Sequence, residues 1–328
     1  MTPSTDQRFP FAPYPNGWIG LAYSHELKRG DVRAVTALGR RMTLFRGQDG
    51  APRLVSAYCP HLGADLGVGG SVVDNTIRCP FHGWRFDGSG ACTHIDYAPK
   101  IPPKARLDSW PVRDLNGFVM LWHDSDGRAP WFELPPAPEL DSDEWTAPRP
   151  VSYTIKTRWR EILENAVDSA HFQALHRYPE VPTLAFRTDG PRFYMTSHVP
   201  WTRFGRKVTV QLDIESHGPC FGVTRGVSEL PFIVFSSHMP IDANTTTHRM
   251  LFVVSKRVPL PFRELLVRLV IRSAVREYER DIPIWENKIC IERPVLCGGD
   301  GPIIKFRSWA KQFYGSKPGL TVVTDDVG

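Results

Sequence analysis

Cys59-Pro60-His61-Leu62-Gly63 and, with seventeen residues between His61 and its first cysteine, Cys79-Pro80-Phe81-His82-Gly83-Trp84 are the two stretches that decide the reading of this chain. Each supplies one thiol and one imidazole from a tight, Pro- and Gly-bearing loop at the end of a short apolar run. Four such ligands suit either a Cys₂His₂ zinc site or a [2Fe–2S] cluster in which two histidines replace two cysteines on one iron. Zinc fingers set Cys against Cys and His against His. Here each cysteine has its own histidine on a separate loop, which favours the cluster.

The chain around these loops reads as short strands. Trp18–Tyr23, Val32–Leu38, Met42–Arg46 and Arg53–Tyr58 are apolar or alternating, with Gly39, Asp49-Gly50, Asp87-Gly88 and Asn116-Gly117 as turn signals between or after them. A run containing Pro130, Pro135, Pro136, Pro138, Pro148 and Pro150 follows. The boundaries expected are a cluster domain over residues 1–125, a Pro-rich linker over 126–150 and a second domain over 151–328. In the second domain, Val151–Thr157 alternates and Arg158–Ala170 has helical spacing. Long alternating runs between Phe193 and Val258 read as an antiparallel sheet, and Phe262–Glu292 reads as a long helix. The fold class is α+β, a curved sheet gripping a C-terminal helix.

A second constellation opens that domain: Asn165-x₂-Asp168-x₂-His171-x₄-His176. Asp168 and His171 are spaced to share a helix face. His171 and His176 lie roughly 140° apart on a straight helix, so both reach one metal only where the helix ends or carries a π-type turn. Two histidines and a carboxylate with open positions make the non-haem Fe(II) site that activates O₂. The carboxylate candidates on the long helix are Glu277, Glu279, Asp281 and Glu286.

Taken together, the Cys-x-His and Cys-x₂-His loops and the Glu164-Asn165-x₂-Asp168-x₂-His171-x₄-His176 run resemble the terminal oxygenase component of the Rieske non-haem iron oxygenases over essentially the whole chain. Ala64 and Phe81 stand where high-potential Rieske proteins carry the extra cysteines of a disulfide, so the oxygenase type is the one resembled. The resemblance implies an N-terminal Rieske domain and a helix-grip catalytic domain. It implies a [2Fe–2S] cluster on Cys59, His61, Cys79 and His82, and Fe(II) on His171 and His176. Asp168 would link a neighbouring subunit's Rieske histidine to His171 in a homotrimer, with Asn165 beside it. Arg280-Asp281-Ile282-Pro283-Ile284-Trp285 and the tail Gly301–Trp309 with Gln312-Phe313-Tyr314 resemble the 3-ketosteroid 9α-hydroxylases and cholesterol 7-desaturases, which selects Asp281 as the third iron ligand.

The activity so implied is O₂-dependent hydroxylation of a bulky apolar substrate of steroid or sterol type. Desaturation, stepwise demethylation or aromatic-ring hydroxylation would use the same metals. A Rieske electron-transfer protein with a lipid-carrying second domain is the rival from another class. No GxGxxG fingerprint or plant-type ferredoxin Cys run is present, so a separate ferredoxin or NAD(P)H-oxidising reductase must deliver electrons. A net charge of +5 over 328 residues, without a basic block, gives no footprint for nucleic acid. No apolar leader or run of ~20 apolar residues is seen, and a cytoplasmic location is expected. Arg268, Arg272, Arg276 and Arg280 form a stripe read as a solvated face opposite Leu265, Leu269 and Val270. Cys92, Cys220, Cys290 and Cys297, and histidines such as His238 and His248, read as structural.

Overall fold

The computed structural model describes residues 8–203, 206–257 and 261–315. Residues 1–7, and Val258 at the end of the expected sheet, lie outside the described residues. The first part of the chain folds into small antiparallel sheets. One orders Gly17–Tyr23, Phe118–His123 and Val112–Leu115; a second orders Val32–Ala37, Arg40–Arg46, Pro52–Ser56 and Ser109–Trp110. The Asn116-Gly117 hairpin forms as its residues dictate, both in the left-handed region at φ 56° and 78°. A third sheet, Ser71–Val73, Thr76–Arg78, Arg85–Phe86 and Cys92–His94, carries the second Cys-His loop. Its strands are two or three residues long, too short to leave an alternation in the sequence.

Two cores divide this region. Phe45, Val55, Leu66, Ile77, Trp84 and Phe86 close around Cys59 and Cys79. Trp18, Phe118 and Trp122 instead share a core with Phe221, Phe235 and Leu251 of the second domain. The Pro-rich segment crosses this shared core. Phe132 and Leu134 are buried in it, and the Phe132 carbonyl accepts a 3.0 Å hydrogen bond from the Trp18 indole. The residues expected to form a linker thus seal the junction of the two domains.

The second domain is one seven-stranded antiparallel sheet in the order Arg149–Ile155, Thr246–Val254, Phe232–Pro240, Phe221–Val227, Arg206–His217, Arg192–Arg203, Thr183–Asp189. Helix α3, Arg263–Asn287, packs against this sheet. Ala274, Val275 and Tyr278 pack on Val234, Met250 and Phe252, and Trp285 closes over Ile155 and Ile162. Each fully buried side chain of this kind contributes about 1.5–3 kcal/mol.

Three expectations change here. The helix expected over Arg158–Ala170 breaks into α1, Trp159–Glu164, a 3₁₀ turn Asn165–Val167, and α2, Ala170–Ala174. Asp168 is extended, at φ −87° and ψ 108°, so it precedes α2 and shares no helix face with His171. Leu265 and Leu269, expected on a buried face, are 58% and 53% exposed; Leu269 lines the cavity between α3 and the sheet. Cys297, read as an ordinary buried or half-buried thiol, is exposed. Helix α4, Ile303–Ala310, was not read from the sequence; it seats Phe306, Trp309 and Ala310 in the shared core.

Candidate functional site

The two Cys-His loops are built alike. The Cys59 N–H donates to the Ala64 carbonyl (2.9 Å) while the Gly63 N–H returns to the Cys59 carbonyl (2.9 Å). Cys79 repeats the pattern, donating to Trp84 (2.8 Å) and receiving Gly83 (3.2 Å). Gly63 and Gly83 close these turns at φ 77° and 72°, where a side chain would be strained. The loops face each other: the His61 and His82 ring centroids are 4.5 Å apart. Trp84 stacks flat on His61 at 4.7 Å and 7° and donates its indole N–H to the Tyr97 hydroxyl at 2.8 Å.

These residues fit a two-iron cluster. Both thiols are buried and all six cysteines are free. Burial, with Cys79 alongside, pushes the Cys59 thiol up to about 11, so a thiolate there needs a bound cation. His61 Nδ1 is buried without a hydrogen-bond partner. Among the described residues, the one group of three or more His, Cys, Asp or Glu whose ligand atoms all fall within 4.8 Å of one another is a different one.

That compact group is His171, His176 and Asp281. The break at Asp168 starts α2 so that His171 points into the domain. The chain then closes with a π-type bond, His176 N–H to the His171 carbonyl at 3.4 Å, beside the ordinary Leu175 bond at 2.7 Å. Arg177 follows at φ 61°. This turn folds His176 back onto the side of His171, with ring centroids 5.0 Å apart. Asp281 arrives from α3, its Oδ1 3.4 Å from His176 Nε2. Of the four acids considered on α3, Asp281 is the buried one. Glu279 binds the Tyr153 hydroxyl (2.8 Å) and Glu286 accepts the Lys156 N–H (3.0 Å).

The surrounding groups fix how these ligands are presented. His171 Nδ1 donates to the backbone carbonyl of Asp168 at 2.7 Å, which leaves Nε2 for a metal. The Asp168 carboxylate stands 3.8 Å from the same nitrogen and is partly exposed; hydrogen bonds from His171 outweigh burial and hold it below its ordinary value. Asn165 donates to Asp281 Oδ2 at 3.2 Å and lies 3.1 Å from His171 Nε2, so it touches two of the three ligands. Glu277, read from the sequence only as a rejected ligand, comes 2.9 Å from His176 Nδ1, though off the hydrogen-bonding direction. Its place one turn before Asp281 on α3 was the available signal. Glu164 is held by Arg307 of α4 through two bonds of 2.6 and 2.7 Å, which anchors the helix leading into Asn165.

A cavity of about 820 Å³ opens from this group between α3 and the sheet. Val199, Leu212, Val234, Met250, Phe252 and Leu266 supply much of an apolar lining. That volume lies within the usual range for small-molecule sites, roughly 300–1,000 Å³. Among the described residues no helix is long and apolar enough to cross a membrane.

Comparison with known proteins agrees with this geometry. Residues 17–111 match the Rieske [2Fe-2S] domain, and residues 121–314 match the 3-Ketosteroid 9alpha-hydroxylase C-terminal domain. Cholesterol 7-desaturase nvd 1 of Ciona intestinalis is 32% identical over 344 residues, covering 95% of this chain and 72% of the relative. The oxygenase component of 3-ketosteroid-9-alpha-monooxygenase from Rhodococcus rhodochrous is 31% identical over 317 residues, covering 92% and 83%. Among solved structures, Pseudomonas putida CBB5 NdmA with caffeine superposes with a TM-score of 0.71 at 19% identity, over 93% of this chain and 90% of its own. Dicamba monooxygenase bound to 3,6-dichlorosalicylic acid gives 0.72 at 18%, over 91% and 97%. Two facing Cys-His loops, a two-histidine, one-carboxylate group at the head of an apolar cavity, and matches to both domains place this chain in one family: it is a Rieske non-haem iron oxygenase of the 3-ketosteroid 9α-hydroxylase branch.

Proposed function

We propose that this oxygenase hydroxylates a steroid or sterol. The observation that carries the reading is the apolar cavity of about 820 Å³ ending on His171, His176 and Asp281. Two relatives are named for action on a 3-ketosteroid and on cholesterol, and a rigid apolar polycycle suits such a cleft.

Cys59, His61, Cys79 and His82 would hold the [2Fe–2S] cluster; His171, His176 and Asp281 would hold the mononuclear iron. Bound there, the iron would supply O₂ activation, with electrons relayed from a ferredoxin or reductase. The chain's own residues set the geometry. The Asp168 carbonyl fixes the His171 tautomer, Asn165 ties His171 to Asp281, and Glu277 faces the outer nitrogen of His176. The apolar wall excludes water and orients one face of the polycycle toward the ligands. The partly exposed Asp168 carboxylate remains available to accept a hydrogen bond from a Rieske histidine of a neighbouring subunit in a homotrimer.

Turnover of cholest-4-en-3-one with a surrogate ferredoxin and reductase, analysed by mass spectrometry, tests the reading. The expected product carries one added oxygen, and Asp281→Ala abolishes it while keeping the cluster's visible spectrum. A product that has lost two hydrogens instead assigns desaturation. Turnover of aromatic acids but of no steroid overturns the substrate reading.

A further inference from the structure

His248 and Tyr278 line the cavity, yet neither belongs to the ligand group. His248 sits within the strand Thr246–Val254, opposite His238 on one neighbour and Tyr153 on the other. It is 6% exposed, its Nδ1 is hydrogen-bonded to the Tyr278 hydroxyl, and its Nε2 is buried with no partner. The His238 ring stacks face to face on it at 4.2 Å and 22°, so that neighbour offers no acceptor in the ring plane.

Counting protons shows a surplus. Burial, with His238 beside it, holds the His248 imidazole well below its ordinary pKa and therefore neutral. Burial holds the Tyr278 phenol well above its own. The pair thus owns one N–H and one O–H, and their mutual bond uses one of them. If Tyr278 donates to Nδ1, the free donor is Nε2–H of His248; if Nδ1–H donates, it is the tyrosine O–H. Nε2 is closed off inside the fold, where its N–H would stay unpaired at a cost, so the favoured arrangement has Nδ1–H donate to Tyr278 and leaves the phenol O–H, on a side chain that lines the cavity, as the free donor.

We propose that the His248–Tyr278 pair donates this hydrogen bond to an oxygen of the substrate, so that the cavity selects an apolar polycycle bearing a carbonyl or hydroxyl over a bare hydrocarbon. The inference rests on the steroid reading above and extends it to regiochemistry. Tyr278 lies three residues before Asp281 on α3, about one turn away on the same face. The oxygenated ring, rather than the far end of the polycycle, is therefore the part held beside the iron ligands.

Equilibrium dialysis of the holoenzyme against cholest-4-en-3-one and cholest-4-ene, which differ only in the carbonyl, tests this. The ketone should bind about tenfold tighter to the unaltered protein. In the double variant His248→Phe/Tyr278→Phe the two should bind within about twofold of each other, whereas each single variant leaves one donor and keeps part of the preference. A second arm needs no variant. Infrared difference spectra of the bound ¹⁸O-labelled ketone should place its carbonyl stretch below that in an alkane solvent. Equal binding of ketone and hydrocarbon, a preference that survives the double variant, or an alkane-like stretch overturns the proposal alone. Failure of both compounds to bind overturns the steroid reading and the proposal together.

Discussion

At the scale of single residues, two acids beside the proposed iron ligands divide the work in a way their sequence positions conceal. Asp168 was expected to orient His171 through its carboxylate, but its main-chain carbonyl takes the imidazole N–H at 2.7 Å. Glu277, three residues or more from any motif, is the acid that faces His176. Asp168→Asn should accordingly keep its mononuclear iron, because the carbonyl is untouched. Glu277→Gln removes the charge beside His176 Nδ1, and such outer partners typically cost ~10–100-fold in metal affinity or activity. Iron content after dialysis against a chelator checks both. Equal iron retention in the two variants would show that Glu277 has no such role. The proposed ligands His171 and His176 stand in a spacing that the sequence displays, whereas Asp281 was picked out of four acids on the same helix only by the resemblance of Arg280–Trp285. Glu277 was not legible, because a helix carrying several acids looks like any solvated face until the fold shows which one is turned inward.

The elements that shape the site are the irregular ones. A periodic reading joins Arg158–Ala170 into one helix, since Ile162, Leu163, Ala166 and Val167 keep helical spacing. The chain instead breaks at Asp168, which is extended. Gly301, at the foot of α4, packs against that stretch so closely that an added Cβ would lie 2.0 Å from the Val167 carbonyl oxygen. No local pattern reports a contact between residues so far apart in the chain, and α4 itself escaped notice for the same reason. Gly301→Ala must displace either α4 or the turn carrying Asn165 and Asp168. It is expected to destabilise the protein by more than ~1 kcal/mol and to deplete the mononuclear iron, leaving the cluster spectrum intact. Thermal unfolding and metal analysis would show this; an unchanged melting temperature and full iron would mean that the contact relaxes freely.

For the molecule as a whole, two domains were legible from composition and patterning, but not the shared core that joins them through Phe132 and Leu134. That junction depends on which apolar residues meet across the interface, and sequence spacing is silent on it. Deep in the sheet, burial lowers the His238 pKa to about 3 and holds His248 lower than usual as well. The unfolded chain takes up these protons below about 6.5 whereas the folded chain refuses them, so stability is full above that pH. It falls as pH drops toward about 3, by roughly 1.4 kcal/mol per unit for His238, with His248 acting in the same direction. Unfolding midpoints in urea between pH 7.5 and 5 test this, and His238→Leu should flatten the slope. The other large-scale expectation concerns assembly. Around the Cys-His loops, Tyr58, Leu62, Phe81 and Tyr97 are 57–66% exposed, an apolar patch of the kind that marks an interface. The patch caps the cluster loops, while the Asp168 carboxylate is partly open at the iron group. A head-to-tail contact between two different surfaces closes into a ring. The trimer that the family resemblance implies would then set the cluster tip of one subunit against the iron site of the next. Leu62→Glu with Phe81→Glu places two carboxylates in that patch without altering a ligand. Light scattering should show the assembly falling to monomers while the cluster spectrum persists and turnover is lost. A variant that stays assembled and active would place the interface elsewhere.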